Sequence, residues 1–211
     1  MSYLRKISLL GLILLLPALA MSQAQAQNYE EGKAYSKLAK PVATQSGDNI
    51  EILEFFWYGC PHCFSFEPTL RKWKKTLPAN VKFVRMPSPL NPRWMIHTKT
   101  YYALETMGEG DKHHDAIFEA MHVKKMKLHS KAAIADFLAT KGVDKKTFLS
   151  TFDSFAVEMR AKQAMQLGQQ YKVSGVPMLA INGKYTISGS QAGSFTGMTN
   201  VADHLIKLES K

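Results

Sequence analysis

Only two cysteines occur in 211 residues, and they stand three positions apart in Cys60-Pro61-His62-Cys63. Two thiols that close together cannot act as a disulfide scaffold, so the fold has to come from buried apolar residues. Ahead of them runs Ile50-Glu51-Ile52-Leu53-Glu54-Phe55-Phe56-Trp57-Tyr58, which reads as a mostly buried strand closed by Gly59. Behind them runs an amphipathic segment with Cys63, Phe66, Leu70, Trp73 and Leu77 along one stripe. A Cys-x-x-Cys at a strand-to-helix turn is an arrangement suited to sulfur chemistry.

The first 26 residues stand apart from the fold. Arg5 and Lys6 precede an apolar run from Ile7 to Leu16, and small residues follow in Ala18-Leu19-Ala20 and Ala24-Gln25-Ala26. This pattern predicts a secretory signal peptide over 1–26, with cleavage after residue 20 as the alternative. The apolar run is short of the roughly 20 residues a spanning helix needs. Export would carry the cysteine pair out of the cytosol to an oxidising surrounding, where disulfides persist. The formal net charge of +10 falls to +8 without Arg5 and Lys6. The lysines are dispersed, and the cluster Lys124, Lys125, Lys127 and Lys131 lacks interleaved aromatics, so nucleic acid is not an expected partner.

Along the chain, a short helix or arm is expected over Tyr29 to Leu38 and an edge strand near Val42. A helix from Pro61 to about Leu77 should be bent at Pro68, and Val81 to Arg85 alternates as a strand. After Pro87, Pro89 and Pro92 the signals turn helical. Helices are expected between Pro92 and Gly108, after Gly110, after Ser130, from Asp144, and from Phe155 to Tyr171. Met178 to Ile181 and Lys184 to Ile187 flank Asn182-Gly183, a strong hairpin signal. A terminal helix should bury Val201, Leu205 and Leu208. The pattern is α/β: two halves of one sheet around an all-helical block.

Pro61 suits the first helical position and makes Cys60 the N-cap, its sulfur facing free N–H groups. Cys60 is therefore expected to be the exposed, acidic nucleophile, with His62 favouring its thiolate. Cys63, one turn inside, is expected to be the buried resolving thiol. Stabilising the thiolate stabilises the reduced pair by ~1.4 kcal/mol per pKa unit, or ~30 mV for a two-electron couple. Two cysteines do not complete a four-ligand zinc site, and the histidines that might help lie in the helical block. Covalent haem attachment needs His after the second cysteine, where Phe64 stands.

These residues resemble the DsbA-type thiol:disulfide oxidoreductases of the thioredoxin superfamily. The resemblance rests on Phe55-Phe56 ahead of Cys60-Pro61-His62-Cys63, on Pro68, and on Gly175-Val176-Pro177 before a strand and Asn182-Gly183. It implies a thioredoxin fold with an inserted all-helical domain. The expected thioredoxin-like parts are 27–90 and 165–211, with the insertion at 91–164. It implies a cis Val176-Pro177 bond facing the cysteines, where Val176 presents its backbone to an extended substrate. Glu54 matches the family's buried acid and would take the proton of Cys63; the plainer reading pairs it with Lys82 or Arg85.

The resemblance further implies a monomeric periplasmic oxidase without a bound cofactor or metal. It would donate the Cys60–Cys63 disulfide to newly exported proteins with free cysteines, and a membrane partner of DsbB type would reoxidise it. The alternatives are a disulfide isomerase or reductase of the same fold and a non-catalytic peptide-binding chaperone. Trp57 and Tyr58 are either groove-lining or packed aromatics, and Gly59 is expected to loosen the turn. The methionines at 95, 107, 121, 126, 159 and 165 are read as core filler, and the five histidines of the helical block as solvated or capping.

Overall fold

The computed structural model describes residues 29–210; the expected signal peptide lies outside the described residues. Strands β1 (Ser36–Lys37), β2 (Ile50–Phe56), β3 (Val81–Pro87), β4 (Met178–Ile181) and β5 (Tyr185–Ser188) form one sheet in the order β1-β5-β4-β2-β3. Helix α1 (Pro61–Lys74) links β2 to β3, which run parallel. Between β3 and β4 come a 3-10 turn (Pro92–Trp94) and helices α2 (Met95–Thr106), α3 (Gly110–His122), α4 (Lys131–Ala139), α5 (Lys145–Phe152) and α6 (Phe155–Gln170). Helices α7 (Gly189–Ala192) and α8 (Phe195–Glu209) follow the sheet.

All seven residues of β2 are buried, because it lies between β3 and β4 with both faces covered. Ile50 and Ile52 pack with Phe66, Leu70 and Trp73 of α1 and with Val201, Leu205 and Ile206 of α8. Leu53 and Phe55 pack on the opposite face with Tyr171 and Met178. The indole N–H of Trp73 donates to Asp203 at 2.7 Å, pinning α1 to α8. The largest apolar cluster runs from Phe56, Tyr58, Cys60 and Cys63 into the helical block through Phe118, Leu138 and Phe148. The cysteine turn is thereby packed on the inserted helices as well as on the sheet.

Several expectations change. Of the two readings of residues 29–38 the arm is found, as a turn and β1, and the helix is not, because Gly32 sits at φ +82° and Tyr35 packs edge-on against Tyr185. The edge strand is at Ser36–Lys37, and Val42 contributes a single backbone bond to Gly183 at 2.8 Å. A side chain at Gly183 would collide with the Val42 carbonyl, and Asn182 and Gly183 both have the positive φ that the tight hairpin needs. Leu208 is exposed, because the buried stripe of α8 passes through Val201, Ala202, Leu205 and Ile206. Met126, Met159 and Met165 are also exposed, while Met95, Met107 and Met121 pack at the edge of the core. Helix α1 ends at Lys74 and contains Pro68. The expected boundary at 164/165 falls inside α6.

Candidate active site

Strand β2 ends at Phe56, and Trp57 to Gly59 turn the chain into α1. Cys60 is the N-cap, at φ −86° and ψ 115°, and Pro61 opens the helix. The backbone N–H of Cys63 donates to the Cys60 sulfur at 3.4 Å. The Cys60 thiol in turn points at the carbonyl of Val176, also 3.4 Å away. The Val176–Pro177 bond is cis, and Pro177 is buried. His62 and Pro61 are exposed; His62 shares an open cleft of about 610 Å³ with Val176, Pro177 and Phe195.

The two sulfurs differ sharply. Cys60 is lowered from 9.0 to about 6, chiefly by a hydrogen bond from the Cys63 side chain. Burial opposes this, while the N–H groups of Cys63 and His62 and the charge of His62 add to it. Burial pushes Cys63 far up, reinforced by Cys60 and by the charge of Glu54. One expectation needs correcting: Cys60 is only 7 % exposed, since Val176 and the helical block close over it. Its acidity comes from aimed donors rather than from contact with solvent.

Below the cysteines lies a buried charge cluster. Glu54 is fully buried and stands opposite Arg85 in the β2–β3 register, its Oε2 3.4 Å from Nε. Lys82 pairs in register with Glu51 instead. Burial, then the charge of Glu67, raises Glu54 from 4.5 to about 8, with Arg85 and Lys74 pulling against them. Glu67 accepts from Arg85 at 3.2 Å and from His114 Nε2 at 2.9 Å. Burial works against its charge, but those donors outweigh it and hold Glu67 below its ordinary value. Asp111 takes the remaining Arg85 nitrogen at 3.0 Å.

The histidines of the helical block are a second correction, because His97, His113 and His114 are buried; His129 is exposed. Three histidines grip the dipeptide ahead of the cysteines. His97 Nδ1 accepts from the Trp57 indole at 2.8 Å while Nε2 meets the Leu128 carbonyl at 2.7 Å. His122 Nε2 donates to the Tyr58 carbonyl at 2.7 Å, and His114 Nδ1 meets the Tyr58 hydroxyl at 3.0 Å. Tyr58 is therefore a packed aromatic. Trp57 is half-buried and stacked on Trp94 with centroids 4.0 Å apart. Gly59 does not loosen the turn: a Cβ there would strike the Trp57 ring, so the glycine lets the indole fold back.

Sequence reasoning missed Glu67 and the histidine contacts. Glu67 carried a signal, since an acid one turn beyond Cys63 sits on the buried stripe of α1. Among the described residues no group of three or more His, Cys, Asp or Glu side chains is placed to hold a metal ion.

This geometry has clear relatives. A family model described as a DSBA-like thioredoxin domain matches residues 95–196. The chain is 45% identical over 186 residues to the thiol:disulfide interchange protein DsbA of Pseudomonas aeruginosa, a match covering 88% of each. The chain belongs to the DsbA family. The DsbA of Pseudomonas syringae is 43% identical over 189 residues, 90% of this chain and 88% of that one. The crystal structure of Pseudomonas aeruginosa DsbA superposes with a TM-score of 0.84 at 44% identity, covering 88% of this chain and 96% of that one. A DsbA oxidoreductase from Xylella fastidiosa reaches 0.81 at 27% identity, covering 86% and 97%. The fold is the DsbA one, a thioredoxin domain with an inserted helical domain, and the chain is a thiol:disulfide oxidoreductase.

Proposed function

We propose that this DsbA-family protein is a monomeric, exported oxidase that gives its Cys60–Cys63 disulfide to newly exported proteins in the periplasm. A substrate thiolate attacks the Cys60 sulfur, the Cys60–Cys63 bond breaks, and Cys63 leaves with the bonding pair. Cys63 then takes a proton from Glu54, the neighbouring acid raised to about 8. A second substrate thiolate attacks the substrate sulfur of the mixed disulfide, and Cys60 leaves as a stable thiolate. The substrate loses two electrons and the cysteine pair gains them, so no bound cofactor or metal is required. In reoxidation Glu54 receives the Cys63 proton, and the disulfide is restored by a membrane protein of DsbB type.

The observation that carries this reading is the asymmetry of the sulfurs: Cys60 lowered to about 6, Cys63 pushed far up. Lowering the thiol that leaves last favours the reduced pair, by ~30 mV for each ~1.4 kcal/mol. Val176 presents its carbonyl and Pro177 offers no N–H, so an extended substrate backbone fits beside the sulfur. His62 borders the same cleft and tilts the couple toward donation.

Equilibrating the pair with glutathione tests the direction. An oxidising potential is expected, and a strongly reducing one would return the protein to the isomerase or reductase reading. Cys60→Ser should abolish turnover; a variant that still protected unfolded chains in place of catalysis would favour a peptide-binding chaperone.

A further inference from the structure

Beneath the cysteines two carboxyls compete for one guanidinium. Arg85 on β3 reaches Glu54 on β2 at 3.4 Å and Glu67 on α1 at 3.2 Å. Two buried carboxylates in direct contact with a single guanidinium, with Lys74 acting on Glu54 only beyond salt-bridge distance, do not both stay charged at low cost, so one of them takes a proton. Hydrogen-bond donors decide which. Glu67 accepts from Arg85 and from His114, whereas neither oxygen of Glu54 has a hydrogen-bond partner. His114 is set for this task. A carboxylate only accepts, so the His114 proton sits on Nε2, and Nδ1 is left to accept from the Tyr58 hydroxyl 3.0 Å away. Burial keeps Tyr58 protonated and His114 neutral, which preserves that order of donors.

We propose that His114, locked between Tyr58 and Glu67, is a positioning residue that keeps Glu67 charged and so leaves the shared proton on Glu54, beside Cys63. The inference rests on the reading of Glu54 as the proton partner of Cys63, and it names what prepares that partner. Glu54 is faced by Cys63, Glu67 and Lys74 on α1 and by Arg85 on β3. His114 is faced by Glu67, Arg85 and Tyr58, with Asp115 beside it on α3. Asp111 occupies the outer nitrogen of Arg85. Without the His114 donor, Glu67 competes better for the proton and Glu54 titrates lower.

The test is a titration of the side-chain carboxyls by carbon NMR in the oxidised protein, where neither cysteine ionises. Glu54→Gln and Glu67→Gln assign the two signals. Glu54 should titrate well above Glu67 in the parent protein. His114→Phe, which keeps an aromatic ring against Phe56 and Phe118, should lower the Glu54 midpoint by about one unit or more. His114→Gln, whose amide still donates, should largely restore it. An unmoved midpoint in His114→Phe, or Glu67 titrating above Glu54, would overturn the proposal. If the phenylalanine variant does not fold, the nitrogen spectrum of His114 in the parent protein decides: a proton on Nε2 is expected, and one on Nδ1 overturns it. The exchange rate of Glu54→Gln against pH separates the two levels. An unchanged profile there, with the His114 titration as expected, would sever the link to Cys63 while leaving the charge arrangement standing.

Discussion

A single residue, Cys60, gathers its acidity from groups within one helical turn, which is why its role was legible in the sequence. The N-cap position, Pro61 and the facing N–H groups are all local consequences of Cys-Pro-His-Cys. Folding lowers its pKa from 9.0 to about 6. The thiolate's contribution to stability is therefore whole above 9 and is lost as pH falls through 6. Melting the reduced and oxidised proteins side by side should show the reduced form gaining on the oxidised one across that window. Replacing His62 with Ser should raise the thiolate midpoint and shrink the gain. Glu54 behaves oppositely: folding raises it from 4.5 to about 8, so its contribution is present below 4.5 and is lost as pH rises through 8. Glu54→Gln should abolish that loss in the oxidised protein, flattening Tm against pH between those values. A parent-like slope in the variant would show that Glu54 ionises at its ordinary value. The burial of Glu54 and its pairing with Arg85 were among the readings of the sequence; the competition with Glu67 was not, because its partners come from α1 and β3 and no local spacing brings them together.

Among elements, β2, α1 and the β4–β5 hairpin could be read from periodicity and turn residues. The Trp57–Gly59 link could not, because its shape is set by Trp94 and His97 from the helical block. The glycine there is a steric requirement of the Trp57–Trp94 stack. Gly59→Ala should push the indole off Trp94 and cost ~1–3 kcal/mol as an overpacking strain, read by denaturant unfolding, with a changed tryptophan emission spectrum. An unaltered spectrum at parent stability would mean that the stack yields without loss. At the amino-terminal arm, the sequence left helix or arm open for Tyr29 to Leu38; so short a helix is marginal alone, and the contact of Tyr35 with Tyr185 goes with the arm.

For the whole molecule, the order of strands and helices was visible as a change of texture along the chain. The grip of the inserted helices on Trp57 and Tyr58 was not, because histidine carries no periodic signature. His97 makes that grip sensitive to acid. Burial lowers it from 6.5 to about 4, against the pull of its bond to Leu128. Its contribution is present above 6.5 and is lost as pH falls through 4. His97→Phe should cost ~1 kcal/mol at neutral pH through the lost Trp57 bond, and its stability should fall less steeply on acidification. Urea unfolding at stepped pH values measures both, and equal slopes would mean that His97 is not the group that titrates. The recessed sulfur of Cys60 has a consequence for the choice of clients. In the proposed reaction a client cysteine would meet it on a strip of chain lying flat along Val176. A thiol already enclosed in a finished domain has no such strip to offer. For the oxidase proposed above, selection would then follow the age of the client rather than its sequence, with chains still emerging oxidised and settled ones passed over.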